Sequence, residues 1–411
     1  MGSFFTNAWR WCLLFLVLPL AMAGALRADE VTDWHEHMLV ALRTAGVNPI
    51  VSTRDAALVS AAVFDAVNGI ERRYAPIHVP AAAPRGASKR AAAVQAAYVI
   101  LLSRFPAQAT DLAAKRAASL AAIDDGESKR RGVEWGQTVA AAILAWRSTD
   151  GFTPTPPAYV GGPELGRWRP TPPGFASGAV PQFAAMTPWG ILAPDQFRPW
   201  GPPALDSPQY LAEYDEVREM GSATSALRTA DQTDACLFMN STSATYLWNR
   251  AAIDLGDDCE FGLSENAHLL ATLNLAIADA LIACWDAKYE FEFWRPVTAI
   301  QLADEPLWTP LFATPAHPEY TSGHSSASSA AATVLADYFG DDTPFMLQSP
   351  AVPGWFRIYP SFSAAVDEVT DARVFAGIHF RSACEDGAIL GSEVAAHILE
   401  NLMSRIHGEG E

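Results

Sequence analysis

Three short stretches in the last third of the 411-residue chain hold side chains that could do chemistry together. Lys288 and Arg295 stand in KYEFEFWRP, with six residues between them and a proline after. Ser322-Gly323-His324 opens an Ala-rich, helix-forming run that ends at Gly340. Arg373 and His379 close the set in ARVFAGIH, with five residues between them. Arginine offers a planar fork of donors to an oxyanion, and lysine adds a compact charge. A turn that feeds a helix leaves unpaired N–H groups at the positive end of the helix dipole. Ser322 and Ser325 suit the N-cap there, and Gly323 lets the backbone approach a ligand. Histidine titrates near neutrality and can serve as acid, base, nucleophile or ligand. The chain has 28 basic and 46 acidic residues, a formal charge of -18. So acidic a chain has little reason to gather three cations and two histidines unless something anionic binds among them.

The elements that must bring these groups together read as helices. A run over 264–289, with Leu269, Leu270, Leu273, Leu281 and Ile282, delivers Lys288 at its C-terminal end. A helix over 322–339 presents Ser-Gly-His at its N-terminus. Gly377 predicts a break between Arg373 and His379, because on an unbroken helix residues six apart lie well off one face. Apolar periodicity predicts further helices over 31–45, 54–70, 87–104, 108–123, 127–147, 208–220, 229–253, 361–375 and 380–405. No convincing alternating strand is visible. Half of the residues are apolar, and the fold class is all-α, a helical bundle. Residues 148–205, rich in Pro, Gly and Trp, form a long irregular strap whose aromatic rings need burial and which shapes the mouth of a cavity.

At the N-terminus Arg10 precedes an apolar run from Cys12 to Leu20, followed by Ala21-Met22-Ala23. This is the pattern of a secretory signal cut after Ala23, so the mature protein is expected to be periplasmic or secreted. No later stretch reaches about 18 uninterrupted apolar residues, which predicts no stable membrane insertion after cleavage. The expected organisation is a signal (1–23), an N-terminal helical part (24–147), the irregular connection (148–205) and a C-terminal helical part carrying the site (206–411). Cys236, Cys259, Cys284 and Cys384 remain after cleavage, enough for two disulfides in an oxidising compartment, with three possible pairings. The acidic balance argues against nucleic acid or anionic membrane as partners. Trp34-His35-Glu36-His37 lacks the spacing of a zinc protease site.

The order K-x6-R-P, S-G-H, A-R-x5-H resembles the three-part signature of the type 2 phosphatidic acid phosphatase superfamily. Within it, KYEFEFWRPVTAI and HPEYTSGHSS are most similar to the vanadium-dependent haloperoxidases. The resemblance covers residues 286–390, with weaker echoes in RDAALVSAAVFDAVNGI (54–70) and LRTADQTDA (227–235). It implies a helical bundle of the haloperoxidase and acid phosphatase type, and vanadate as cofactor, with phosphate able to occupy the same site. Lys288, Arg295, Ser322, the Gly323 N–H and Arg373 would surround the oxyanion. His379 would bind its central atom, and His324 would act opposite as general acid or base. Asp231 would be the acidic partner of Arg373. His317 falls where the resemblance places halide preference, and a histidine there implies bromide or iodide over chloride. The substrates would be hydrogen peroxide, a halide and small organic molecules.

The same residues would equally serve an acid phosphatase that forms a phosphohistidine at His379. A third reading is a helical binding protein with a decayed site. Two positions depart from the family pattern: Thr321 replaces the usual proline before Ser-Gly-His, and Ala383 stands where an aspartate commonly orients the last histidine. A backbone carbonyl is the expected substitute for that carboxylate.

Overall fold

A computed structural model describes residues 29–303 and 305–406. The signal-like segment 1–23 and Cys12 lie outside the described residues. Five helices come first: α1 (Glu30–Thr44), α2 (Pro49–Glu71), α3 (Lys89–Arg104), α4 (Ala109–Ala121) and α5 (Glu127–Arg147). After the strap come α6 (Pro208–Gly221), α7 (Ala230–Asn240), α8 (Ala244–Asp258), α9 (Leu263–Phe291) and α10 (Pro296–Ala303). The chain ends with α11 (Gly323–Phe339), a hairpin of β1 (Phe345–Gln348) and β2 (Phe356–Tyr359), α12 (Phe362–Phe375) and α13 (Arg381–Asn401).

The axis of the fold is α9. It is apolar on every side, and a helix of that kind must be surrounded by protein or lipid. By length and composition it could cross a membrane, but 94% of its most apolar window is buried inside the molecule. On one side it packs against α2, which carries α3 and α5 behind it; on the other it packs against α11 and α13. One hydrophobic core therefore runs from Val31 to Met403. A polar thread crosses it: Asn274 on α9 donates to Ser60 on α2 (2.9 Å) and exchanges two 2.8 Å bonds with Asn249 on α8. His35 on α1 extends the thread to Ser60 at 2.9 Å.

The irregular strap contains only a short 3-10 turn, Pro181–Ala185. Backbone groups without a ladder need partners elsewhere, and the core supplies them. The Asp279 carboxylate on α9 accepts from the N–H groups of Trp189 (2.7 Å), Gly190 (2.7 Å) and Ile191 (3.0 Å). Arg147 donates to the carbonyls of Thr187 and Pro188. Trp168, Phe183 and Trp189 are buried as expected of the strap's aromatic rings, whereas Phe175 and Trp200 are exposed.

Several expectations need correction. The single helix over 229–253 is two, because Ser241-Thr242-Ser243 interrupts it; the Ser243 hydroxyl caps α8 by accepting from the Tyr246 N–H at 3.2 Å. The helix from 380 stops at Asn401. A hairpin exists where no strand was visible, pairing Phe345 with Tyr359; with four residues each, its strands are too short to show a period. Pro296, after Arg295, is the first residue of α10. Neither of the two disulfides forms: Cys236, Cys284 and Cys384 are buried thiols.

Two glycine features do hold the site elements. Gly377 has φ +79°, the break expected between Arg373 and His379. Gly391 lets α13 press onto α11, since a Cβ there would lie 2.1 Å from the Ser326 carbonyl oxygen. Replacing Asp279 tests the strap: Asp279→Ala orphans three buried N–H groups and is expected to cost about 3 kcal/mol or more in urea unfolding. A loss below about 0.5 kcal/mol, the size of an ordinary surface change, would show that the strap is held by other means.

Candidate active site

The three stretches converge. α9 delivers Lys288, the turn before α10 delivers Arg295, and the loop into α11 delivers Ser322, Gly323 and His324. Arg373 comes from the last turn of α12, and His379 from the linker that Gly377 bends. Lys288, Arg295 and Arg373 are each at most 1% exposed. Burial pulls Lys288 down to about 8 and both arginines to about 10. Three buried cations are costly unless a counter-charge is near.

The carboxylate among them is Glu319, itself 0% exposed, from the HPEY phrase. Its Oε1 accepts from His379 Nδ1 at 2.8 Å and from the Phe380 N–H at 2.9 Å. Arg295 Nη1 lies 3.1 Å from the other ring nitrogen, Nε2. A guanidinium can only donate, so Nε2 carries the lone pair and Nδ1 the hydrogen. This assignment follows from the hydrogen-bond network. Burial first, and then Arg295, hold His379 well below the usual histidine range, which keeps that lone pair free of a proton. Burial pushes Glu319 up to about 8, opposed by Arg295 and Lys288. Glu319 is thus the orienting carboxylate, in place of the backbone carbonyl expected from Ala383; the Ala383 carbonyl instead accepts from the Ser322 N–H at 2.8 Å.

Arg295 ties the site together. Besides His379 it donates to the Ile378 carbonyl (2.7 Å), the His317 carbonyl (3.0 Å) and His317 Nδ1 (2.9 Å). The His317 ring sits 4.9 Å from the indole of Trp285. Lys288 donates to the carbonyls of Pro318, Glu319 and Thr321, so it braces the loop and, as placed, has all three hydrogens engaged. Ser322 acts as the N-cap of α11, accepting from the Ser325 N–H (3.3 Å) and the Ser325 hydroxyl (3.0 Å).

Arg373 is different. Its Nε and Nη1 are buried and have no hydrogen-bond partner among the described residues. With Gly323, His317, His324 and His379 it lines a cavity of about 510 Å³. His324 donates one ring N–H to the Met239 carbonyl, and burial, then Arg373, hold it well below the usual histidine range. Asp231 is not part of this arrangement. Its side chain is 78% exposed and pairs at 3.1 Å with Arg357 on β2. That strand was not visible in the sequence, so neither was the competing arginine.

Sequence reasoning also missed Trp285 and the N-terminal contribution to the cavity, Asn48 and Ile50 at the start of α2. Glu319 had a signal: a carboxylate between Pro318 and Tyr320, five residues before a candidate histidine, in a stretch otherwise without charge. The strap's part as a shaping element is borne out at Ala179, which lines the cavity and whose carbonyl accepts from Trp285 Nε1 (3.2 Å) and the Tyr289 hydroxyl (2.9 Å).

The chain is similar to known proteins. A family model described as the VCPO second helical-bundle domain matches residues 268–408. The vanadium chloroperoxidase of Curvularia inaequalis is 30% identical over 95 residues, a stretch that covers 20% of this chain and 16% of that protein. The crystal structure of the first bacterial vanadium-dependent iodoperoxidase superposes with a TM-score of 0.83 at 25% identity, over 93% of this chain and 98% of that one. The chain thus has the helical fold of the vanadium haloperoxidases, and residues 268–408 match their second helical-bundle domain. Two structures of a bacterial vanadium-dependent chloroperoxidase, apo and holo, share the fold at TM-scores of 0.70 and 0.69 and identities of 18% and 19%.

The residues fit the family's oxyanion. Unpaired donors on Arg373, an excess of buried cations and a lone pair on His379 Nε2 are what vanadate would need, and a bare metal cation would be repelled by them. Two results are expected. Glu319→Ala frees the His379 ring and weakens vanadate binding ten- to a hundred-fold, the usual cost of losing a group that orients a ligand; unchanged affinity by calorimetry would show that Glu319 does not orient the ring. Protonating His379 removes its lone pair, and its lowered pKa puts that loss on the acid side of the ordinary value of 6.5. Below the range near 8 where Lys288 and Glu319 titrate, vanadate affinity should therefore stay level from about pH 7 to about 6.5. A halving within that window would contradict the assigned tautomer.

Proposed function

We propose that this protein is a vanadate-dependent haloperoxidase that oxidises bromide or iodide, in preference to chloride, with hydrogen peroxide. The observation that carries the reading is the His379 ring, fixed by Glu319 at Nδ1, in a cavity that the unpaired donors of Arg373 also line. The structural likeness to a bacterial iodoperoxidase supports the halide side of the proposal, and so does a histidine rather than a hydrocarbon ring at position 317.

Vanadate, when bound, supplies a Lewis-acidic centre that activates peroxide toward halide. The protein residues do the rest. His379 would hold the central atom through Nε2, with Glu319 keeping the ring from turning. Arg373 donates from Nε and Nη1 to the oxyanion, and the first N–H groups of α11 add donors at the positive end of the helix. Arg295 must yield its contact with Nε2 for ligation and would then turn its hydrogens to the oxyanion. Lys288 sets the loop through its carbonyl contacts and contributes charge from behind it. His324, with one N–H on Met239, offers its other ring nitrogen as a base for the proton that peroxide loses, and returns that proton to the departing oxygen. His317, held well below the usual histidine range by burial and then by Arg295, lines the cavity beside Trp285 and sets the halide environment.

Export is proposed on the N-terminal pattern of Arg10, an apolar run and Ala-Met-Ala. The test of function is reconstitution. Protein purified without phosphate and loaded with orthovanadate should oxidise bromide and iodide with hydrogen peroxide, and added phosphate should suppress this. Arg373→Ala and His379→Ala should each lower the rate by at least a hundred-fold, the scale of losing an oxyanion donor or a ligand. Retained activity in either variant would sink the site assignment. Hydrolysis of a phosphate ester that vanadate inhibits, without halide oxidation, would instead identify a phosphatase using the same residues.

A further inference from the structure

The cavity is far larger than halide oxidation needs. At about 510 Å³ it has room for on the order of fifteen waters at about 30 Å³ each, and it falls in the range of sites that enclose a small organic ligand. Its floor is buried: Leu281, Trp285, Ala327, Arg373 and His379. Its mouth is the exposed start of α2 at Asn48 and Pro49, with Asn240 across from it. Between them lie Ile50, Pro315 and Ala316, and the rim carries the hydroxyls of Thr242 and Ser243.

Two features of the lining restrict what fits. Arg373 is the one lining side chain with a fixed charge, and it sits on the floor beside His379. A charged guest lodged in the outer part would find no counter-ion, so the chamber suits a neutral molecule with a polar group near the mouth. Among the described residues the lining also holds no Met, Cys or Tyr, the side chains that an electrophilic halogen attacks readily, along with tryptophan. The exception, Trp285, has its indole N–H committed to the Ala179 carbonyl.

We infer that the halogen acceptor binds inside this chamber, and that it is a neutral, electron-rich aromatic of one or two rings, a phenol or an indole, lying against Trp285 with a polar group at the mouth. The inference rests on the haloperoxidase reading. The chemistry balances in two steps. Halide loses two electrons to hydrogen peroxide, which with one proton gives hypohalous acid and water. The ring carbon then takes the halogen as the O–X bond breaks, and the ring proton leaves with the hydroxide as water. Held over the floor, the acceptor meets hypohalous acid before it can escape.

The experiment uses the full-length processed protein loaded with vanadate, with iodide and peroxide. Triiodide formation reads halide oxidation without any acceptor. A soluble phenol then competes with a phenol fixed to polymer beads too large to enter. Chamber binding predicts at least ten-fold more iodination of the soluble phenol than free hypoiodous acid gives in the same mixture. Ile50→Trp and Thr242→Trp, which fill the entrance, should bring that ratio down to the free-reagent value, each variant being checked for an unshifted melting temperature. Calorimetry without peroxide should show saturable phenol binding that both variants lose. A free-reagent ratio in the parent protein, or no saturable binding, overturns the inference while triiodide formation leaves the haloperoxidase reading standing. No vanadate-dependent triiodide sinks the reading and the inference together.

Discussion

The 2.8 Å bond between Glu319 and His379 is the contact on which the site depends. An imidazole presents a lone pair at one nitrogen only if the other is held as a donor. Glu319 does this from a wholly buried position, with the Phe380 N–H as a second donor to the same oxygen. Arg295 then completes the arrangement from the other side, because a guanidinium has nothing to accept with. Three residues from three separate segments thus decide which atom of His379 faces the cavity. When ionised, the same carboxylate partly offsets Lys288 and Arg295, leaving an excess of buried positive charge.

That excess explains the surrounding architecture. A buried guanidinium with two unpaired donors is tolerable only in a frame that cannot collapse onto it or open to water. α9 supplies one wall and is clamped between α2 and the pair α11 and α13. The close approach at Gly391 holds the start of α11 against α13, so the loop with Ser322 and Gly323 has little freedom. The strap closes another side, with Asp279 reaching out of α9 to hold its amides. Its composition is poor for regular structure but its backbone is satisfied by the core, which makes it a rigid part of the cavity wall at Ala179.

Much of this was legible in the residues. The 3.6-residue period located the main helices, since each buries one face or, for α2 and α9, nearly all of its surface. Lys288, Arg295, Ser322, His324, Arg373 and His379 were visible as a set because residue type and spacing are read directly from the chain, and because cations are conspicuous in an acidic chain. The break at Gly377 was visible because glycine alone accepts its φ cheaply. Less visible were features that need a partner. Asp231 was assigned to Arg373 on sequence position, but β2 brings Arg357 to it instead. Four cysteines allowed two disulfides, but Cys236, Cys284 and Cys384 are buried thiols.

The sequence by itself determined the helical class, the family resemblance and the identity of the charged groups, because these follow from local periodicity and from residue chemistry. Tertiary structure alone decided how each group is used. It turned Lys288 onto three carbonyls, left Arg373 with donors to spare, and made Glu319 rather than a carbonyl the partner of His379. It also joined the start of α2 to the mouth of a cavity whose floor lies more than 200 residues away in the chain. Hydrogen-bond direction and burial are properties of pairs in space, and no spacing along a single chain can state them.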